Sequence, residues 1–225
     1  MIEHVYERAS QARYLHKVLI ATDDRRIAEA ARAFGAPVRM TREDHVSGTD
    51  RVAEAASPEN AELVVNIQGD EPLIDPAAID AAILPLLADE AVPMGTLKKR
   101  IEDPREIGDP NVVKVVTDWS DKAIYFSRCP IPYARADDLQ TLRTARFKHI
   151  GLYVYRREFL LSYPDLPVGP LERAERLEQL RALENGYPIH VVETEYESLG
   201  VDTPADLERV SKLYEASIQL AKSYG

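Results

Sequence analysis

The chain has 225 residues, of which 45% are hydrophobic and 29% charged, and its formal net charge is −10. This composition suits one soluble α/β domain with apolar material for a sizeable core. The acidic balance argues against broad binding to nucleic acid or to an anionic membrane, so an anionic substrate would need a local cluster of Arg and Lys, a metal ion, or both.

The longest apolar stretch, AAIDAAILPLLA, is broken by Asp80 and Pro85, which excludes a membrane span. No signal peptide is visible, and the single Cys129 excludes an intrachain disulfide, so a reducing cytoplasm is the expected setting. Met1 to Arg13 places Ile2, Val5, Tyr6 and Ala9 on one side and predicts an amphipathic helix. KVLIATD at 17–23 predicts a strand, and Asp24 to Phe34 a helix stopped by Gly35. PVRMT predicts a short strand, 42–48 a loop, and TDRVAEAA a helix with Thr49 as its candidate cap. ELVVNIQ at 62–68 predicts a buried strand, and DPAAIDAAILPLLA the next helix, with Pro76 in its first turn.

VVKVVTD and KAIYFSR, on either side of WSD, predict a hairpin, and 129–147 a long linker rich in Pro, Arg and Asp. HIGLYVYR predicts a strand, Leu171 to Leu183 a charged helix with most charges solvated, PIHVVETE a strand, and Pro204 to Tyr224 a final helix. This alternation predicts a mainly parallel sheet with helices on both faces. One domain spans 1–225, with a hairpin-and-loop excursion at about 110–147.

In sheets of this kind ligands bind beyond the carboxyl ends of the strands. VVNIQGDEPLID at 64–75 delivers Asp70 and Glu71 to that edge, with Gly69 allowing close backbone approach and Pro72 ending the pairing; a solvated turn is the competing reading. In SLGVDTPADL, Asp202 precedes Thr203 and Pro204, so it caps the last helix or supplies a second carboxylate. Two carboxylates with substrate phosphates are the usual way to hold Mg²⁺. SGTDR at 47–51 is a tight loop entering a helix, suited to capping or to reading a ligand with exposed N–H groups. Arg128, in YFSRCPIPY, would clamp a carboxylate or phosphate, or form a surface ion pair. His149, Gly151, Tyr153 and Tyr155 share one strand face, which lines a pocket or simply packs. Glu175, Glu178 and Gln179 are close enough on a helix for some to face inward. Cys129 reads as a packed thiol, and His4, His16, His45 and His190 lack the spacing of a zinc site.

Taken in order, SGTDR, NIQGDEPLI, YFSRCPIPY, KHIGLYVYR, LERAERLEQLR and GVDTPADLERV resemble the CMP-Kdo synthetases, the 3-deoxy-manno-octulosonate cytidylyltransferases. The resemblance implies a nucleotidyltransferase-type (Rossmann-like) α/β fold whose antiparallel excursion makes a homodimer. It implies attack by the 2-hydroxyl of the sugar acid Kdo on the α-phosphate of CTP, with Mg²⁺ as cofactor, for lipopolysaccharide biosynthesis. By the same resemblance Asp70 and Asp202 hold the metal, and Gln68, Arg128, His149, Tyr153, Glu178 and Gln179 form the sugar-acid pocket. Ser47 and Gly48 meet the cytosine, with Arg51 nearby.

The family pattern opens with a strand and a Gly/Arg-rich nucleotide loop, followed by a Lys, ahead of the helix that starts here at Met1; no Gly-rich phosphate loop occurs elsewhere. The expectation is an open edge in the sheet and poor or absent turnover. Losing two or three charge-assisted hydrogen bonds of about 1.5–3 kcal/mol each would weaken CTP binding by orders of magnitude. Two rival readings stand beside the main one: a CMP-sialate-type synthetase for another acidic sugar, and a non-catalytic homologue that binds sugar or nucleotide.

Overall fold

The computed structural model describes residues 1–133 and 145–223. The first half lays down α1 (Ile2–Ala9), β1 (Ile20–Thr22), α2 (Arg25–Ala33), β2 (Val38–Met40), α3 (Gly48–Ala56), β3 (Leu63–Asn66) and α4 (Pro76–Ala88). One device starts the longer helices. A short polar side chain just before the first turn accepts a backbone N–H: Asp24 from Arg26 at 2.7 Å, Ser47 from Asp50 at 3.1 Å, Asp75 from Ala77 at 2.9 Å. Ser47, not Thr49, therefore caps α3. Thr49 is fully buried instead, and its hydroxyl lies 3.2 Å from the Tyr155 hydroxyl.

The second half holds β4 (Met94–Arg100), α5 (Pro104–Gly108), the hairpin β5 (Lys114–Thr117) and β6 (Ala123–Ser127), the ten-residue β7 (Phe147–Arg156), and α6 (Arg157–Ser162). Two short helices, α7 (Pro170–Glu175) and α8 (Gln179–Glu184), then precede β8 (Ile189–Glu193) and α9 (Pro204–Ser223). Most of the expected linker at 129–147 falls at 134–144, outside the described residues. Cys129 is exposed rather than packed.

The sheet is mixed. β1 and β2 form a parallel pair of their own, while six strands run in the order β6-β5-β7-β4-β8, with β3 also joined to β7. Within the six, only β4 and β8 are parallel; β3, β4 and β5 all run antiparallel to β7, and β6 runs antiparallel to β5. The expected parallel pattern thus holds for β1–β2 and β4–β8. Among the described residues β1 pairs only with β2, and β3 only with β7. The sheet is interrupted between β1 and β3.

Helices cover both faces because β7 alternates. Tyr153 and Tyr155 enter a core with Ala53 and Ala56 of α3, Phe159 and Leu160 of α6, and Leu180 of α8. Leu152 and Val154 enter the opposite core, with Val5 and Ala9 of α1 and Ile79, Ile83 and Leu86 of α4.

The charged segment expected as one helix at 171–183 is a helical hairpin. Arg176 adopts a left-handed conformation, φ 53°, and ends α7. The Glu184 carboxylate accepts the N–H groups of Leu171 at 2.8 Å and Glu172 at 3.0 Å, closing the start of α7. Inside the hairpin Arg181 pairs with Glu172 through two hydrogen bonds of 2.8 and 2.6 Å, and its guanidinium lies over the Tyr163 ring. These two charges are buried, not solvated. Removing one partner strands the other in the core. Arg181→Ala should cost about 3–5 kcal/mol in urea denaturation, while replacing both residues by apolar ones of similar size should cost far less. Equal losses in the single and double variants would show that the pair is not the source.

Candidate functional site

β4 occupies one edge of β7 from Phe147 to Tyr155, so β3 and β5 share the other edge: β3 pairs with 153–156 and β5 with 147–148. The carboxyl end of β3 and the amino end of β5 diverge there, leaving the middle of β7 without a strand partner on that side. A cleft opens at this point. Ile67, Gln68 and Glu71, from the loop after β3, line a small hollow with Ile150, Gly151, Leu152 and Tyr196.

Beside this gap, side chains from four elements gather on the Tyr153 face of β7. β6 and β7 supply a row of rings: Phe126 of β6 meets His149 edge-on at 5.0 Å between centroids, His149 lies 5.4 Å from Tyr153, and Tyr153 lies 6.0 Å from Tyr155. The N-terminal turn of α3 supplies Ser47 and Gly48, and a Cβ added at Gly48 would lie 3.4 Å from Gln68 Nε2. The turn between α7 and α8 supplies Glu178, and Gln179 is buried beside it. Burial raises the Glu178 carboxyl above its ordinary value, although the hydroxyls of Thr49 and Ser47 pull it down. Burial also keeps Tyr153 and Tyr155 protonated far beyond their ordinary range, and drives the His149 ring down to about 3, so it is neutral at pH 7. Asn66 Nδ2, Asp50 Oδ1 and Glu178 Oε2 are buried without hydrogen-bond partners among the described residues.

Asp70 and Asp202 approach through their backbones. The Val201 N–H donates to the Asp70 carbonyl at 3.0 Å, and a Cβ at Gly200 would lie 3.9 Å from Asp70 Oδ2. Glu71 holds this crossing by accepting from the Tyr196 hydroxyl at 2.9 Å and from the Ser198 hydroxyl. Asp202 does not cap α9. Thr203 does so, bonding Asp206 N at 3.2 Å and donating to its carboxylate at 2.7 Å. Neither Asp70 nor Asp202 has a side-chain hydrogen bond or ion pair among the described residues.

The two arginines are differently employed. Arg128 donates to the Glu175 carbonyl at 2.7 Å, the Pro110 carbonyl at 2.9 Å and the Arg176 carbonyl at 3.4 Å, so its fork pins β6 to the end of α7. It contacts neither His149 nor Tyr153 here. Arg51 donates to the Thr41 hydroxyl at 2.6 Å and to Asp23 Oδ2 at 2.9 Å, tying α3 to the ends of β1 and β2. A wider hollow of about 560 Å³ lies behind α3, between Asp50, Glu54 and Pro164. None of the expected site residues lines it, and its walls carry both signs of charge.

The cytidylyltransferase family model matches residues 1–198. A 3-deoxy-manno-octulosonate cytidylyltransferase from Solibacter usitatus is 73% identical over 97% of this chain and 85% of its own. The chain belongs to this family. The relative of the same name from Geobacter sulfurreducens is 57% identical over 93% of this chain and 87% of its own. A solved CMP:2-keto-3-deoxy-manno-octonic acid synthetase complexed with CTP superposes with a TM-score of 0.90 at 42% identity, covering 96% of this chain and 88% of that one. A glucose-1-phosphate thymidylyltransferase from Bacillus anthracis shares the fold at a TM-score of 0.63 and 14% identity. This chain is thus a nucleotidyltransferase of the cytidylyltransferase family.

The sequence puts Glu71 at the ligand edge and Glu175 among residues that could face inward, but it names no partner for either and does not mark Thr96. Glu71 stood beside Asp70, and Tyr196 and Ser198 were its distant donors. Glu175 accepts from the Ser127 hydroxyl at 2.6 Å, from Arg128 N at 2.9 Å and, more weakly, from the Tyr125 hydroxyl at 3.5 Å. Burial acts to raise this carboxyl, but the donated hydrogen bonds win and hold it below its ordinary value. Its contribution to stability is therefore complete above the unfolded pKa, about 4.3, and disappears as pH falls through the lower folded value. Glu175→Gln should be less stable than wild type near neutral pH and should lose part of the acid-induced drop in denaturation midpoint. An unchanged midpoint and an unchanged acid profile would contradict this role.

Proposed function

We propose that the protein transfers the CMP group of CTP to Kdo, giving CMP-Kdo and pyrophosphate, and so serves lipopolysaccharide biosynthesis in the cytoplasm. The observation that carries this reading is the hydrogen-bonded crossing that brings Val201, next to Asp202, onto Asp70 in the loop after β3, whose Gln68 lies against Gly48 of α3. The names of the relatives favour Kdo over another acidic sugar.

Asp70 and Asp202 fit Mg²⁺: both are oxygen donors, their chain segments are hydrogen-bonded to each other, and among the described residues no cation pairs with either. Among the described residues no group of three or more His, Cys, Asp or Glu gathers as a metal site. Substrate phosphate and water would complete the ligand set, and the bound ion would offset the charge of the triphosphate and of the leaving pyrophosphate. The turn at Ser47 and Gly48 would meet the cytosine, with Arg51 bracing it from behind. Gln68, His149, Tyr153, Glu178 and Gln179 would hold the sugar acid so that its 2-hydroxyl faces the α-phosphate. A carboxylate clamp by Arg128 would require it to release the carbonyls it now holds; short of that, its part is to fix the turn beside the pocket.

The test is pyrophosphate release from CTP, Kdo and Mg²⁺. Asp70→Asn should remove most of the rate, because the substrate's charge loses its counter-ion. A panel of acidic sugars should favour Kdo, and turnover of a sialic acid at the same rate would reject the assignment.

The protein is further proposed to act as a homodimer through the β5–β6 hairpin. β6 is an edge strand, and Trp119, Ile124 and Tyr133 are 106%, 61% and 89% exposed. Light scattering at micromolar concentration should report twice the monomer mass. A monomer would reject it.

A further inference from the structure

β7 carries two residues more than β4 at the centre of their ladder. Thr96 pairs with Tyr153, and the next residue, Leu97, pairs with Ile150, so Gly151 and Leu152 bulge out. Thr96, fully buried on β4, sits against this bulge. Its Oγ1 is 2.7 Å from the Leu152 carbonyl, 3.1 Å from the Ile150 carbonyl and 2.9 Å from His149 Nε2.

Counting hydrogens decides what passes between Thr96 and His149. A hydroxyl has one hydrogen, and a carbonyl oxygen can only accept. Two oxygens 2.7 Å apart without a hydrogen between them would set lone pair against lone pair, so the Thr96 hydrogen goes to a carbonyl of the bulge. Only lone pairs remain for His149, and Nε2 must bring the proton. The ring is neutral, as its burial requires, so Nδ1 is bare. Nδ1 has no hydrogen-bond partner among the described residues.

We infer that Thr96 is a positioning residue that locks His149 as the Nε2–H tautomer, so that Nδ1 acts only as an acceptor and reads a hydroxyl of the sugar acid rather than its carboxylate. This rests on placing His149 in the sugar-acid pocket. The chemistry is directional. A bare imidazole nitrogen attracts an O–H and repels a carboxylate oxygen, so it rewards the hydroxyl-rich part of the substrate. Were Nδ1 protonated instead, the same ring would favour the carboxylate and would lose Thr96 as its brace.

The experiment has a structural and a kinetic arm. Long-range ¹H–¹⁵N correlation on labelled wild-type protein reads which nitrogen of each ring bears hydrogen. Five histidines keep the spectrum simple, and the His149→Gln variant identifies the signals of His149. Wild type and Thr96→Ser should both show Nε2–H with a bare Nδ1 near neutral pH. Thr96→Val should lose that fixed pattern. Its KM for Kdo should rise roughly tenfold, the cost of one neutral hydrogen bond, with the KM for CTP nearly unchanged and with recovery in Thr96→Ser. An Nδ1–H or doubly protonated ring in wild type overturns the proposal, and needs no variant that folds. If His149→Ala raises the KM for Kdo while Thr96→Val does not, the tautomer lock is overturned and the pocket stands. If His149→Ala leaves the KM for Kdo unchanged, the pocket assignment itself fails.

Discussion

Everything at the site depends on β7 being satisfied along both edges except at its centre. It pairs with β4 on one side, apart from the bulge at Gly151 and Leu152, and, at opposite ends, with β3 and β5 on the other. Both faces are buried, one against α3, α6 and α8 and the other against α1 and α4. A strand so constrained cannot shift register, because a one-residue slip would send its core side chains to the wrong face. The break between β3 and β5 is therefore fixed in space, and so is the row of rings from His149 to Tyr155. The cleft is a consequence of the pairing.

Charge is the second constraint. At net −10 the chain must still receive an anionic substrate. Yet Arg51 is committed to Asp23 and Arg128 to three carbonyls, while Lys98 pairs with Asp121 and Lys148 with Glu106 and Glu197. The cations near the cleft hold the frame together. Among the described residues the carboxylates of Asp70 and Asp202 have no side-chain partner, which suits a divalent cation and repels a bare phosphate. In the proposed reaction the frame's own arginines and lysines leave charge compensation of the triphosphate to the ion.

Much of this was legible in the sequence. Alternation of short apolar runs with helix patterns gave the α/β class, and SGTDR, NIQGDE and GVDTP marked the turns that converge. β4 escaped because MGTLKKR ends in three cations and looks like surface. Lys98 is buried all the same, its ammonium held by the Thr117 hydroxyl at 2.8 Å and Asp121 at 2.7 Å. Tertiary pairing of this kind leaves no local trace. Nor does strand direction: β3, β4 and β5 run against β7 because of where the chain re-enters the sheet, which periodicity does not encode. The α7–α8 break was invisible because Arg176, not Gly, takes the left-handed position. Arg128 misled for a simpler reason, since an arginine after a strand looks the same whether its fork meets a substrate or three carbonyls.

The cleft also explains why recognition of the sugar would lean on neutral groups. Burial holds His149 unprotonated and Tyr153 and Tyr155 protonated. A ligand entering such a space meets fixed donors and acceptors rather than free charge. Hydroxyls that satisfy those groups are accepted at modest net gain, but an analogue lacking one leaves a buried polar atom unpaired and loses more than the bond was worth. Asn66 Nδ2 and Glu178 Oε2 already stand without partners. Discrimination would therefore come chiefly from what the wrong sugar fails to pair, which is the cheaper route to specificity for a protein whose basic side chains are occupied elsewhere.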